Sequence, residues 1–461
     1  IQPALIYAGL ALATLMRSSE CEYGFDGRKG ALELRSHAQS ALETAFNTSA
    51  RVDATLAEAA LILALFELSP HPEHDHDKIT AAIVFLDTII RQTQLTNIDA
   101  ADPEVCHFIP NRVPEVADGA YRDNLTCSCI PSNPPEAPSG NSCWYYTLPW
   151  DTAWSPRQIE AEESRRLCWN ALSLVSRYVV QCAAFNAVPQ QLWLTDPSNY
   201  KILFPGECID RASPAYRSST SISPKEAIWA LYCRSMLLWN FAHRFNINSY
   251  DNRVKEETAV AIHHEARYIE TSLDQHTCNL DTHIIYLCRE YITKYATRNS
   301  LSSQGLDSGL ASAPGPLVNR KQIDEWVTNQ ESVIGRFEAS LPHVRPVYSR
   351  NDVAFADPSY APVRAHDLIR RPFNATWFAN QLSVYVLLSY YPNDSIESSG
   401  RLLRLAKSFL VATDAINAQW PCTYYHTHCE VLRGQLRQAC LMARVDPPSP
   451  SRLPYPISRS A

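Results

Sequence analysis

The sequence lacks several features that would identify its class directly. No stretch concentrates Lys and Arg on one helical face, and the net charge is −7, so the chain itself has no basic footprint for nucleic acid. The opening apolar run, IQPALIYAGLALATLM, is shorter than the ~20 residues that a membrane-spanning helix needs. It predicts a buried first helix instead, and we expect no membrane association.

Signatures of the common enzyme classes are missing as well. The chain has no GxSxG, GxGxxG, Walker or kinase motif, which indicates a protein that is not an enzyme. Fourteen cysteines are present but form no CxxC pair. Those inside apolar helical stretches act as small hydrophobic residues, which predicts buried thiols in a reducing compartment. Examples are Cys168, Cys182, Cys233, Cys288 and Cys440.

Helical periodicity dominates what is present, while strand-like alternation is scarce. The fold class predicted is all-α, a large irregular bundle of roughly ten or more helices with long loops. Ser223-Pro224 is a typical helix start, with a serine cap before a proline. After the first helix, at 3–15, helices are predicted at 55–68, 79–94, 156–186, 224–245, 254–272, 279–297, 320–340, 365–391, 398–420 and 421–443.

Three segments interrupt this pattern. Residues 97–155 form a long connection rich in Pro and Cys, and residues 301–318 have the composition of a flexible linker. The last residues, 446–461, form a Pro/Ser-rich tail that is predicted to be disordered. Because the helices on both sides of the linker are apolar, we predict one domain over 1–445.

The segment HPEHDHD, His71 to Asp77, raises the question of a metal site. Zinc requires ligands held on a rigid scaffold, whereas Pro72 disrupts any helix here and the spacing is not that of HExxH. An exposed polar connection between two apolar helices is therefore the favoured interpretation. Asp75 and Asp77 would then cap the helix that starts near Lys78. Metal binding remains the alternative.

A second group comprises Cys422, His426, His428 and Cys429. On a helix that starts at Pro421, positions 422, 426 and 429 share one face, which is half of a metal site. The same face continues through Leu432, Leu436 and Cys440, so core packing is the preferred interpretation.

Two further groups have weaker spacing. Cys106-His107, Cys127, Cys129 and Cys143 contain one C-x-C and otherwise irregular gaps, which leaves a disulfide or a zinc site open. His263-His264-Glu265 lies on a predicted helix, partly on its solvated face, and no partner for catalysis is evident.

The most specific stretch is EESRRLCWNALSLVSRY at 162–178, followed by NAVPQQLWLTDPSNYKILFP. It resembles the middle homology region of fungal-specific transcription factors, the regulatory domain that follows a Zn2Cys6 DNA-binding cluster. Helices at 3–15, 55–68 and 81–95 resemble those that open this region, and the likeness is clearest over 1–245. The positions that match the family pattern are Glu163, Arg165, Arg166, Trp169, Arg177, Pro189, Asp196 and Pro205.

Two positions depart from the family pattern: Ser176 stands where the family has Asp, and Ala187-Val188 stands in place of Gly-Arg. On a helix, Glu162 and Glu163 would pair with Arg165 and Arg166 on the exposed side. Trp169, Leu172 and Val175, with Ser176, would face the core. Arg177 would be a buried anchor for a carboxylate or a carbonyl.

The resemblance implies a nuclear regulator of transcription by RNA polymerase II. It implies that zinc and DNA are bound upstream of Ile1, that this chain holds no cofactor, and that the transcription machinery is a partner. It also implies that the region holds an activation segment in check or senses a small metabolite. An apolar pocket lined by Trp229, Tyr232 and Trp239 is our hypothesis for such an effector site.

Two other functions remain as alternatives. One is a helical metal-dependent enzyme that uses His74 or His426. The other is a helical interaction scaffold, which would expose a large apolar patch. The sequence leaves open the target genes, the effector, the sign of regulation and whether the chain forms a homodimer.

Overall fold

The structure is a computed structural model, and residues cluster into two compact units. Unit 1 comprises 1–86, 180–189 and 324–461, and unit 2 comprises 87–179 and 190–323. The described residues are 2–20, 22–48, 53–116, 150, 153–185, 187–212, 223–247, 252–276, 374–389 and 396–448, with residue 372 and six residues between 327 and 335.

The described part of the chain contains eleven α-helices and no strand, so the all-α prediction is confirmed. Helices within unit 1 are α1 (Pro3–Met16), α2 (Gly24–Thr48), α3 (Ala54–Leu68), α9 (Asn374–Ser389), α10 (Ile396–Gln419) and α11 (Thr423–Met442). Those within unit 2 are α6 (Glu207–Ala212), α7 (Ile228–Ile247) and α8 (Asn252–Asp274). Residues of α4 (His76–Thr93) and α5 (Pro156–Ala184) belong to both units.

The observed helices begin and end within a few residues of most predicted ones. The predicted helix at 279–297 and the linker at 301–318 lie outside the described residues. Nearly all of the tail also lies outside the described residues, as do all but six residues of the helix predicted at 320–340. No described helix is both long enough and apolar enough to cross a membrane.

Helix α2 has no counterpart among the predicted helices. Its sequence, GFDGRKGALELRSHAQSALETAFNT, places three glycines in the first two turns, and glycine disfavours helix. Gly24 has φ of +56°, which glycine adopts without strain, and a Cβ on Gly27 would lie 2.4 Å from Ser18 Oγ. The helix is stabilised by tertiary packing of Ala31, Ala38 and Leu42, which are fully buried.

Unit 1 is held together by one hydrophobic core. Helix α1 starts with Pro3, whose fixed φ suits the first helical position, and buries its alanines against α2 and α3. Helix α9 packs on α10 and α11. Buried side chains from both groups of helices, including Phe66, Phe378, Phe409 and Trp420, form a single cluster.

Helix α7 is the central element of unit 2. Residues 230–243 are all buried, so the helix contacts protein on every side. The predicted start at Ser223 is only partly right. Ser223 caps a 3-10 turn over Pro224–Glu226, Ala227 is extended, and the α-helix begins at Ile228.

Candidate functional site

The charged residues of the family-like segment form a buried network on α5. Arg165 donates from Nε and Nη2 to the two oxygens of Asp99, both at 2.7 Å. Its Nη1 lies 3.2 Å from Glu162, which also accepts from Arg166 Nε at 2.9 Å. The side chain of Glu162 is 1% exposed. The expectation that these pairs lie on the exposed side is therefore wrong for Glu162, whose carboxylate both arginines share.

The electrostatics of this network favour the charged form of Arg165. Burial alone would lower the pKa of Arg165, but its hydrogen bonds to Asp99 and the nearby negative charge outweigh burial and raise the pKa. The guanidinium of Arg166 lies over the ring of Trp150, 3.9 Å from its centroid. Such bidentate and stacked contacts use the planar shape of arginine, which lysine cannot replace.

Trp169 connects α5 to the second half of the family-like segment. Its indole Nε1 donates to Leu203 O at 3.0 Å, and its ring stacks on Tyr200 and Phe204. The backbone of Leu203 in turn donates to Asp99. Residues 200–204 are thereby fixed to α5 and to the segment around Asp99.

The remaining family positions are more dispersed. Glu163 is exposed. Arg177 and Arg165 are both half-buried, and it is Arg165 that anchors a carboxylate, through its two hydrogen bonds to Asp99. Pro189 is half-buried in the loop after α5 and Pro205 is buried. Asp196 caps a short 3-10 turn and pairs with Arg244 at 2.8 Å.

The three rings of the hypothetical effector pocket lie along α7. Trp229 is half-buried, while Tyr232 and Trp239 are buried. The hydroxyl of Tyr232 is bonded to Ser173 of α5 at 2.9 Å, and the Trp239 ring stacks on His243. These rings are therefore part of the packing of unit 2.

A buried ion pair joins α7 and α8. Arg234, 1% exposed, donates to Glu265 Oε1 at 2.7 and 3.0 Å and to Lys225 O at 3.2 Å. Burial raises the pKa of Glu265, against the opposing charge of Arg234. Of the His263–Glu265 group, only His264 is exposed, so the partly solvated placement is wrong for Glu265.

HPEHDHD is a connection between α3 and α4, but its first histidines are not exposed. His71 is 0% exposed and His74 is 7% exposed. Helix α4 starts at His76, and the backbone of Ile79 donates to Asp75 O. The turn is closed by His74 N–H donating to His71 O at 3.0 Å. The predicted exposed polar loop is therefore wrong for these two side chains.

The described residues contain no group of three or more His, Cys, Asp or Glu side chains arranged to hold a metal ion. Cys429 is buried on the core face of α11 with Leu432, Leu436 and Cys440, which confirms the core interpretation, and Cys422 is buried just before the helix, as its N-cap residue. His426 and His428 are half-buried. Cys106 is half-buried and His107 exposed, whereas Cys127, Cys129 and Cys143 lie outside the described residues.

Several residues of these networks were missed by sequence reasoning. Asp99 lies in what was predicted to be a long connection, and no local pattern links it to Arg165. Asp87 is buried and accepts from the N–H groups of Trp193 and Leu194. A usable signal existed for Arg234, because an arginine within the apolar run ALYCRSMLLW predicts a buried partner.

The cysteines in the described part of the chain form no disulfide: Cys106, Cys168, Cys182, Cys208, Cys233, Cys422, Cys429 and Cys440. Cys288 lies outside the described residues.

Comparisons of the chain with protein-family models, with curated proteins and with solved structures find no match.

Proposed function

We propose that the chain is the regulatory domain of a fungal Zn2Cys6-type transcription factor. A separate cluster domain of the full-length protein would bind zinc and DNA in the nucleus. This helical region would control transcription by RNA polymerase II through contacts with the transcription machinery. The basis of the proposal is the order of the family-like segments along the chain, from the helix at 3–15 to the Pro-ended segment at 199–205.

One observation gives this order a physical meaning. The two halves of the family-like segment contact each other through Trp169, which bonds Leu203, and through Asp99, which bonds both Arg165 and Leu203. Residues of the motif thus act together although they are far apart in sequence. This contact supports the interpretation that the motif specifies a fold.

The chemistry of the motif also supports a scaffold role. A catalytic carboxylate needs access to a substrate and a pKa suited to proton transfer. The Glu162 and Asp99 oxygens are instead all occupied by arginine or backbone donors. Their charges therefore stabilise the position of α5.

We retain the hypothesis that a small effector binds at the aromatic residues of α7. Trp229, Tyr232 and Trp239 recur on one side of this helix, and because Tyr232 and Trp239 are buried, a small metabolite would bind there by displacing part of the packing. Because Tyr232 already bonds Ser173, binding at this surface would alter the contact between α5 and α7. Such a change would connect effector binding to the family-like motif.

The test is a reporter assay in yeast, with residues 1–461 fused to a heterologous DNA-binding domain. We expect the fusion to change reporter transcription several-fold relative to the DNA-binding domain alone. The Arg234→Leu variant leaves Glu265 buried and unpaired, so we expect it to abolish this change.

The matched control is Arg253→Leu. Arg253 lies on α8 with its side chain 84% exposed, so its loss should leave the reporter at the level of the unmodified fusion. A soluble, helical fusion that leaves transcription at the level of the DNA-binding domain alone would contradict the proposal.

A further inference from the structure

The α3–α4 loop and the start of α11 form a buried cluster that the proposed function does not use. The histidine cluster consists of Glu67, His71, His74, Tyr424 and Tyr425. The His74 ring lies 4.9 Å from the Tyr425 ring, 5.1 Å from the Tyr424 ring and 5.5 Å from the His71 ring, centroid to centroid. All five residues belong to unit 1.

Polar atoms in this cluster are poorly paired. Neither ring nitrogen of His71 forms a hydrogen bond within the described structure, and neither does His74 Nε2. Glu67 Oε2 lies 3.5 Å from His71 Nε2, which is long for a hydrogen bond, so we treat this contact as electrostatic. A buried polar atom without a partner costs about 1–3 kcal/mol. The packed arrangement of this cluster is therefore less stable than one in which every polar atom is paired.

One directional contact fixes the tautomer of the neutral His74 ring. Its Nδ1 lies 2.9 Å from Ser69 O, and a carbonyl can only accept, so Nδ1 carries the proton. The unpaired Nε2 is then the atom that a second proton would occupy. Adding that proton places a cation among aromatic rings, with no described hydrogen-bond acceptor at Nε2.

We propose that the histidine cluster is an acid-sensitive switch, in which protonation of His74 separates the α3–α4 loop from the first turn of α11. The inference rests on the geometry of this cluster alone and is independent of the proposed transcriptional role.

Charged groups around His74 compensate such a cation only in part. The charge of Glu67 raises the pKa of His74, but Arg35 of α2 already occupies Glu67 Oε1 at 2.6 Å. Glu73 is occupied by Lys78 of α4 at 2.9 Å. His71, when charged, would repel a second imidazolium. Burial outweighs the charge of Glu67, so these carboxylates do not keep a cation at His74 inside the cluster.

Burial keeps the thiol of Cys422 and the phenols of Tyr424 and Tyr425 neutral near pH 7. Burial raises the pKa of Cys422 to about 11 and that of Tyr424 to about 12, and it raises the pKa of Tyr425 well above its usual value. His428 contacts the Tyr424 ring, and Cys182 of α5 lies near Tyr424. The first turn of α11 thus offers His74 aromatic surface and no carboxylate.

The direction of the pH effect follows from the pKa of His74. Burial lowers it from 6.5 to about 3, with repulsion by His71 as the next cause. In an open state, where the ring is hydrated, the pKa returns to its usual value. The open state therefore binds more protons between these two values, and opening becomes more favourable as the pH falls below 6.5.

A single proton linked in this way gives a measurable effect. Between pH 7.0 and pH 5.5 the opening constant should rise about eightfold, and by pH 5.0 about 25-fold. The pKa of Glu67 is lowered from 4.5, so its contribution has the same sign but begins below that pH. Measurements above pH 5 therefore exclude the contribution of Glu67, and the His74 variants identify that of His74.

The experiment is hydrogen–deuterium exchange on the full chain at pH 7.0 and 5.5, corrected for intrinsic exchange. We expect the opening constants of peptides covering 69–78 and 420–430 to rise about eightfold in the wild type. In His74→Gln, which keeps a donor for Ser69 O but cannot take up a proton, the rise should disappear.

His107→Gln is the matched control, because His107 is exposed and its substitution should retain the wild-type response. If His74→Gln does not fold, His74→Phe preserves an aromatic ring beside Tyr425 and removes the same proton site. The inference is overturned if the wild-type opening constants do not depend on pH. It is equally overturned if a folded His74 variant keeps the full eightfold rise.

Discussion

Two clusters of ionisable groups differ in how fully their buried polar atoms are hydrogen-bonded. In the α5 network of unit 2, all four carboxylate oxygens of Asp99 and Glu162 accept hydrogen bonds. In the histidine cluster of unit 1, Glu67 Oε2 and His74 Nε2 have no hydrogen-bond partner in the described structure. A satisfied buried network fixes one conformation, whereas a partly satisfied one costs free energy and responds to protonation.

The largest effect is expected when the satisfied network is broken. Arg165→Leu leaves Asp99 and Glu162 buried without their shared cation and should lower the free energy of unfolding by about 3–5 kcal/mol. Urea titration at pH 7, followed by circular dichroism, measures the loss. Arg157→Leu, at an exposed position on the same helix, is the control and should change stability by less than about 0.5 kcal/mol. A loss below about 1 kcal/mol for Arg165→Leu would mean that the network contributes little.

A smaller effect is expected at the acidic member of the histidine cluster. Burial raises the pKa of Glu67, but His71 and Arg35 outweigh burial and leave it lowered from 4.5. Its carboxylate therefore stabilises the fold above pH 4.5, and this contribution is lost as the pH falls through the folded-state pKa. Glu67→Gln should cost about 2 kcal/mol at pH 7, because Arg35 loses a charged partner.

Urea titrations of Glu67→Gln and wild type at pH 7 and pH 4 measure this dependence. The difference between them should shrink at the lower pH, where the wild-type carboxyl begins to be protonated. Glu163→Gln, at an exposed position, should match wild type at both pH values. A cost for Glu67→Gln that stays constant with pH would contradict an ionised Glu67 in the folded chain.

The smallest effect is expected at the indole that links the two halves of the family-like segment. Trp169→Phe keeps an aromatic ring between Tyr200 and Phe204 but removes the donor to Leu203 O. We expect a loss of about 1 kcal/mol, the usual net contribution of one neutral hydrogen bond. Thermal unfolding of this variant beside Trp154→Phe, a half-buried tryptophan, measures it. Equal melting temperatures would show that the indole hydrogen bond is dispensable.

Much of the helical architecture could be predicted because helix signals are local. The apolar run at 55–68 became α3, and Asp53 caps it through a bond from Leu56 N–H. The stripe from Cys422 to Cys440 predicted the buried face of α11. Helix α2 escaped because its glycine-rich start has poor intrinsic propensity, and close packing against Ser18 and Tyr23 compensates for it.

The candidate sites were predicted less well because burial depends on partners distant in sequence. Arg165 and Asp99 are 66 residues apart, and nothing near either residue indicates the other. The acidic and basic residues of 162–166 suggested a solvated face by their composition, yet Glu162 is enclosed. His71 and His74 had the composition of an exposed loop and are instead buried, with the His74 ring against Tyr424 and Tyr425.

The sequence by itself determined the all-α class and the positions of most helices, since the 3.6-residue period and the capping residues act within a few neighbouring positions. Only the tertiary structure decided which polar groups are buried and whether they are paired. It paired Arg165 with Asp99 and left His74 Nε2 beside aromatic rings. The physical reason is that desolvation and hydrogen bonding depend on the three-dimensional surroundings of a side chain, to which residues far away in the sequence contribute.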